Sequence, residues 1–196
     1  MKNTEIRNRI IEITCDIITR QGIRSARVDE IARAAGISKR TLYETFDDKS
    51  DLIFRCLERL SEWRRGMLER KFEADYGNSL YAVMAFVHEY LDSLYLLESG
   101  FLVELKSTPS FAETFDNDYR FWLGRLTGML RQTAADGYVS PDADVELIAE
   151  TILVRSYELR VTDRDRAAQS AFSRALLRGI STSKGIALFD DMPAQA

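Results

Sequence analysis

Apolar residues recur along most of this chain at spacings of three and four, the period that gathers them on one face of an α-helix. Ile6, Ile10, Ile13 and Ile17 form such a stripe and predict a first helix ending near Gly22. A shorter stripe of Ile31, Ala32 and Ala35 predicts a helix from about Val28 to Ala35. Gly36 closes it, because a residue without Cβ enters a left-handed turn at little cost. Ser38 is placed to cap a third helix, Lys39 to about Thr45, by offering its hydroxyl to an otherwise unbonded amide. Leu42 and Phe46, four apart, turn inward, which leaves Lys39, Arg40, Tyr43, Glu44 and Thr45 outward. A fourth helix, from Asp48 or Lys49 to about Phe72, carries Leu52, Phe54, Leu57 and Leu60.

The helical period continues to the C-terminal region. Only three prolines occur, at 109, 141 and 193, and Asp136-Gly137 ends a helical segment instead of turning a hairpin, so the expected class is all-α. Ser140 and Pro141 suit the cap and first turn of a helix reaching about Arg160, with Val145, Ile148, Ala149, Ile152 and Leu153 apolar. Thr162 or Asp163 would cap a last helix, on which Ala168, Ala171, Phe172, Ala175, Leu176, Gly179 and Ile180 cover an arc wider than one buried side requires. Small residues at 171, 175 and 179 would admit a second helix closely, as in a four-helix bundle made by two copies of this chain. The alternative is ordinary packing within one chain.

Two short helices joined by a turn of about three residues and pinned by a longer first helix make a helix-turn-helix, whose third helix can lie in a DNA major groove. By itself the pattern fits a helical hairpin with a solvated face equally well. Charge adds a mild bias. Residues 1–49 hold ten Lys/Arg against eight Asp/Glu, a net of +2, while the total of -4 leaves -6 on residues 50–196. The positive end therefore coincides with the short helices, and the acidic remainder limits indiscriminate binding to phosphate.

The stretch "RVDEIARAAGISKRTLY", followed by Phe46, Lys49 and Leu52 in the pattern F-x-x-K-x-x-L, resembles the N-terminal domain of the TetR (tetracycline repressor-like) family of bacterial transcriptional regulators, over about fifty residues. The resemblance implies a DNA-binding domain over 4–64, with the helix-turn-helix at about 27–46, joined to a larger helical ligand-binding and dimerisation domain over 65–196. It implies an all-helical dimer with DNA-binding heads and a ligand-responsive body, and nothing about which ligand; the reading that follows is a repressor on a palindromic operator, released by a small and largely apolar effector. Carried over by position, the DNA-binding candidates are Arg27, Ser38, Lys39, Arg40, Thr41, Tyr43, Glu44, Thr45 and Lys49. Arg40 is the candidate for a guanine, because a guanidinium fork matches O6 and N7. Thr41, Tyr43 and Lys49 fall where the family grips phosphate. Two departures stand out: Arg27 replaces the usual hydroxyl cap of the second helix, and Asp47 and Asp48 are acidic near the expected phosphates.

The remaining chain offers little chemistry. His88 is the only histidine, and Cys15 and Cys56 fit no metal or redox spacing, so neither a metal site, a catalytic triad nor a cofactor is expected, and the protein is not expected to be an enzyme. No apolar leader and no run long enough for a membrane span is seen, so a soluble, cytoplasmic protein is the expectation. Twelve of the twenty aromatic residues fall between Phe72 and Trp122, and five of those twelve are tyrosines, whose hydroxyls need partners when buried. That loading suggests an effector pocket, with Phe86, His88, Tyr90, Phe101, Tyr119, Trp122 and Tyr157 as candidates, against pure core packing. The dimer candidates are Ala168, Ala171, Phe172, Ala175, Leu176 and Gly179. A DNA-binding regulator without an effector is the alternative function, and a small-molecule-binding enzyme a more distant one.

Overall fold

The structure, a computed structural model, describes residues 2–72 and 76–191; the Phe72 side chain and Pro193 lie outside what it describes. Ten helices in chain order make up the described residues, and the only strand-like pairing among them is a bridge between Val139 and Ser181. They are α1 Lys2–Gln21, α2 Val28–Ala35, α3 Lys39–Thr45, α4 Lys49–Phe72, α5 Ser79–Tyr95, α6 Ser99–Ser107, α7 Pro109–Ala135, α8 Val145–Val161, α9 Arg166–Gly179 and α10 Ser183–Asp191. Two compact units result. Among the described residues, one joins residues 2–66 with 96–117, the other 67–72 and 76–95 with 118–191. The segment 96–117, expected with the second domain, thus packs with the first.

In the first unit the buried line of α1 is Ile10, Ile11, Thr14, Cys15 and Ile18, with Ile6, Ile13 and Ile17 half-buried beside it. The line is broader than the expected stripe because α2 and α6 both pack on this helix. Ile31, Leu42, Phe46, Leu52 and Ile53 complete the core, whereas Phe54, expected on the apolar face of α4, is 38% exposed. Cys15 and Cys56 are both buried, and each thiol donates to a carbonyl at 3.6 Å, Cys15 to that of Cys56 and Cys56 to that of Ile11. They behave as small interior residues, and the hydrogen bond with the Cys15 thiol, together with burial, pushes Cys56 well above the usual range.

The second unit packs α5, α8, α9 and the later part of α7 around Leu80, Val83, Phe86, Leu126, Leu130, Ile152, Leu153 and Leu177. Its helix ends differ from expectation in two places. α8 begins at Val145, not Pro141, because Asp144 caps it through Oδ1 to the Leu147 amide at 3.0 Å. Ser140 is held outside the helix, its amide donating to the Ile180 carbonyl at 2.9 Å. α9 begins at Arg166 after Asp165, and Asp163 sits instead in the left-handed region at φ 52°.

α10 was not expected from the pattern. It is short, and Gly185 near its start reads as a breaker. The glycine is required by proximity: a Cβ there would lie 2.2 Å from the Tyr138 carbonyl oxygen. Gly185→Ala is therefore expected to lift α10 off the 137–139 turn and destabilise the protein by about 1 to 3 kcal/mol. Thermal unfolding of the variant checks this, and an unchanged midpoint would contradict it.

Candidate nucleic-acid interface

The helix-turn-helix is built from local bonds before any tertiary contact. α2 ends on Gly36 at φ 67°, ψ 33°, with Gly36 and Ile37 amides donating to the Arg33 and Ala32 carbonyls. Ser38 is extended at φ -77°, ψ 153°, and its Oγ accepts from the Thr41 amide at 3.0 Å, which starts α3. Seven residues of helix have little stability alone, so α3 depends on its anchors. Leu42 and Phe46 supply them, both nearly fully buried. Arg7 of α1 holds the far end, stacked 4.8 Å from the Phe46 ring centroid and donating to the Thr45 carbonyl at 3.2 Å.

What α3 leaves in solvent is a polar, partly cationic front. Tyr43 is 47% exposed. Arg40 and Glu44 pair at 2.8 Å across one turn, both largely exposed. Lys39 pairs with Asp29 of α2 at 2.9 Å, and this carboxylate raises its ammonium above the ordinary lysine value. Exposed pairs of this kind contribute little to stability, so a stronger acceptor can displace the carboxylates without disturbing the fold. Ser38 and Thr41 share a hydroxyl contact at 2.9 Å, and Thr45 donates to the Thr41 carbonyl at 2.7 Å. Arg27 is exposed and makes no capping bond, as its side chain dictates.

Lys49 departs from the expected phosphate contact. Its ammonium is half-buried and donates to the Ile23 carbonyl at 2.9 Å, between α1 and α2. Burial lowers its pKa, opposed by the Glu104 carboxylate. The charge is turned into the unit, which the spacing F-x-x-K-x-x-L alone does not reveal. Asp48 caps α4, Oδ1 accepting from the Asp51 amide at 2.8 Å. Arg7 and Asp29 were missed, although a cation on the first helix and an acid in the first turn of α2 were the available signals.

Residues 10–56, which contain all of this geometry except Arg7 and Glu104, match the family of bacterial regulatory proteins called tetR. Residues 10–56 are therefore a DNA-regulatory domain of the tetR type, over about a quarter of the chain. The chain is 35% identical to the HTH-type transcriptional regulator AcrR of Shigella flexneri over 80 residues, 41% of the chain and 37% of that protein. It is 30% identical to the HTH-type transcriptional regulator SAB2452 of Staphylococcus aureus over 118 residues, 60% of the chain and 59% of that protein. The chain thus spans less than two thirds of the length of either relative. Among solved structures it is similar to a transcriptional regulator from Saccharomonospora viridis in complex with choline, at TM-score 0.78 and 17% identity, covering 91% of this chain and 98% of that one. That likeness extends the fold over the helical body.

Beyond the matched residues the seven pocket candidates do not gather in one place. Phe86, Tyr90 and Trp122 do, with Trp122 5.8 and 6.0 Å from Tyr90 and Phe86, and Phe121 edge-on at 5.1 Å. The Trp122 indole donates to buried Asp118 at 2.8 Å. Tyr157 is buried in the same unit, and burial pushes its phenol up to about 12. Tyr119 is half-buried and raised by burial and then by Glu150. His88 is instead partly exposed in an ion cluster, 3.3 Å from Asp92, which Arg166 also holds at 2.5 Å. Phe101 is buried in the other unit. A separate open cleft of about 560 Å³ lies beside the start of α5, lined by Tyr76, Asn78, Ser79, Arg125, Met129 and Gln132, with room left by Gly124 and Gly128. None of the seven lines it, and its signal in the sequence was the pair of glycines one turn apart.

The last candidates share one face. On α9 the inward line is Gln169, Ser173 and Leu177, while Ala168, Ala171, Ala175 and Gly179 are exposed and Phe172 and Leu176 half-buried. The helix therefore turns two polar residues inward and its small apolar ones outward. Leu147, 56% exposed, and Val154, 37% exposed, lie two turns apart on α8.

Proposed function

We propose that this protein is a dimeric, sequence-specific transcriptional regulator, a repressor that leaves its operator when a small, largely apolar effector binds. The observation that carries the DNA-binding part is the α3 front: Arg40, Tyr43 and Glu44 stand in solvent on a helix whose back is anchored by Leu42 and Phe46. Arg40 reads a guanine; Ser38, Thr41, Tyr43 and Arg27 hold the flanking backbone; and Lys39, Glu44 and Thr45 set the fit around the base edges. Lys49 acts through the fold, as its bond to Ile23 supports.

Dimerisation is assigned to the outward face of α9 with the exposed stripe of α8, since a helix that buries Gln169 and Ser173 while exposing Ala171 and Ala175 is the wrong way round for a monomer. The DNA-binding domain is taken as 4–64 and the effector-binding and dimerisation domain as 65–196, residues 96–117 excepted. The effector is assigned to the neighbourhood of Phe86, Tyr90, Trp122, Tyr119 and Tyr157. Any effector that weakens operator binding tenfold must be weakened tenfold by operator in return. The test is gel-shift titration of the purified protein on DNA upstream of its own gene against random duplex, then thermal unfolding with a library of apolar compounds. Operator preference without stabilisation by any compound favours the effector-free regulator, and no DNA preference with ligand stabilisation favours the enzyme reading.

A further inference from the structure

The turn between α1 and α2 is gripped from outside the helix-turn-helix. The Glu104 carboxylate of α6, 81 residues away in sequence, accepts from the Ile23 amide at 2.5 Å and the Arg24 amide at 3.1 Å through one oxygen. Gly22 makes room for it: φ there is +85°, and a Cβ would stand 3.0 Å from the same carboxylate oxygen. The other side of this turn is taken by Lys49 of α4, which donates to the Ile23 carbonyl at 2.9 Å. A further backbone bond, from the Glu98 amide to the Thr19 carbonyl at 3.2 Å, ties the start of α6 to the end of α1. Both hydrogen-bonding ends of Ile23 are thus held by side chains, one from α6 and one from α4.

We propose that Glu104 is a positioning residue for operator binding: its carboxylate, bound to the Ile23 and Arg24 amides, sets the angle at which α2 leaves α1 and so the presentation of α3. The proposal rests on the DNA-binding reading above and extends it to a residue in the part of the chain assigned to the body. A carboxylate accepting two backbone amides is a charge-assisted, directional contact, stronger than a neutral one. α2 and α3 have no independent stability at eight and seven residues, so their orientation follows the turn that starts them. Glu104 also faces the partly buried Lys49 and favours its charged form, so the two grips support each other.

Charge and position predict opposite signs, which makes the idea testable. Glu104→Gln removes a negative charge from the DNA-binding unit and by electrostatics alone would tighten binding to any DNA. Loss of positioning would instead weaken operator selectively. Affinities of unmutated protein, Glu104→Gln and Glu104→Asp are measured on a selected operator and on random duplex, well below the thermal midpoint of each. Hydrogen exchange at the Ile23 and Arg24 amides is followed alongside. The expected result is an operator-to-random ratio about tenfold lower in both variants, random-duplex affinity equal or higher, and faster exchange at those two amides. Gly22→Ala, which pushes on the carboxylate from the other side, should give the same pattern. A lowered thermal midpoint with an unchanged ratio would overturn the proposal and leave Glu104 a stabilising contact only. If unmutated protein itself shows no operator preference, the DNA-binding reading fails first and this one with it.

Discussion

Ala175→Glu is expected to leave a folded monomer that no longer holds its operator. In one protomer Ala175 is exposed, on the side of α9 away from buried Gln169, Ser173 and Leu177, so a glutamate there meets water and the fold tolerates it. In the proposed dimer the same position lies in a seam of small residues. A two-fold axis places two such carboxylates in it, and burying an unpaired charge costs several kcal/mol. Each half-site contact alone is weak, so operator affinity should fall by at least about a hundredfold as the bivalent gain is lost. Sedimentation with a gel shift reads both effects. A variant that remains dimeric, or an unmutated protein that is monomeric at micromolar concentration, would contradict the bundle.

Arg40→Ala is expected to weaken operator binding by about 1 to 3 kcal/mol and to relax preference at one base pair of each half-site. The guanidinium stands in solvent, paired with Glu44 at 2.8 Å, so the substitution leaves α3 and its anchors intact. Arg40→Lys should not restore the preference, because a point charge cannot reproduce a bidentate fork. Lys49→Ala provides the contrast. Its ammonium holds the Ile23 carbonyl, so its loss should lower the thermal midpoint of the protein more than Arg40→Ala does. Competition against single-base operator variants decides the first part: equal losses on operator and random DNA would remove Arg40 from base reading.

The parts of this molecule governed by short-range rules were legible in the sequence. α2, α3, the left-handed Gly36 and the Ser38 cap follow from spacing and capping chemistry within ten residues, and each lies where expected. Lys49 could not be placed in this way. Whether a lysine at the start of a helix points to solvent or into a turn 26 residues earlier is decided by tertiary contact. The same holds for Glu104, whose partners lie in another element altogether. The start of α8 was misjudged because Ser140-Pro141 has the chemistry of a helix start, while its amide was already committed to Ile180. α10 was hidden by a glycine that the Tyr138 carbonyl demands. Aromatic loading suggested an effector pocket, and of the seven candidates Phe86, Tyr90 and Trp122 meet in one buried cluster. It could not say that His88 would sit outside in an ion cluster with Asp92 and Arg166.

The most direct test of the DNA-binding reading is selection of bound fragments from genomic DNA by the purified, unmutated protein, followed by footprinting of the recovered sequences. The account predicts a shared inverted repeat whose half-site centres lie about 34 to 36 Å apart, or a multiple of that, as two identical heads on a two-fold axis require. Recovered fragments with no common sequence, bound no more tightly than random duplex at physiological salt, would contradict it.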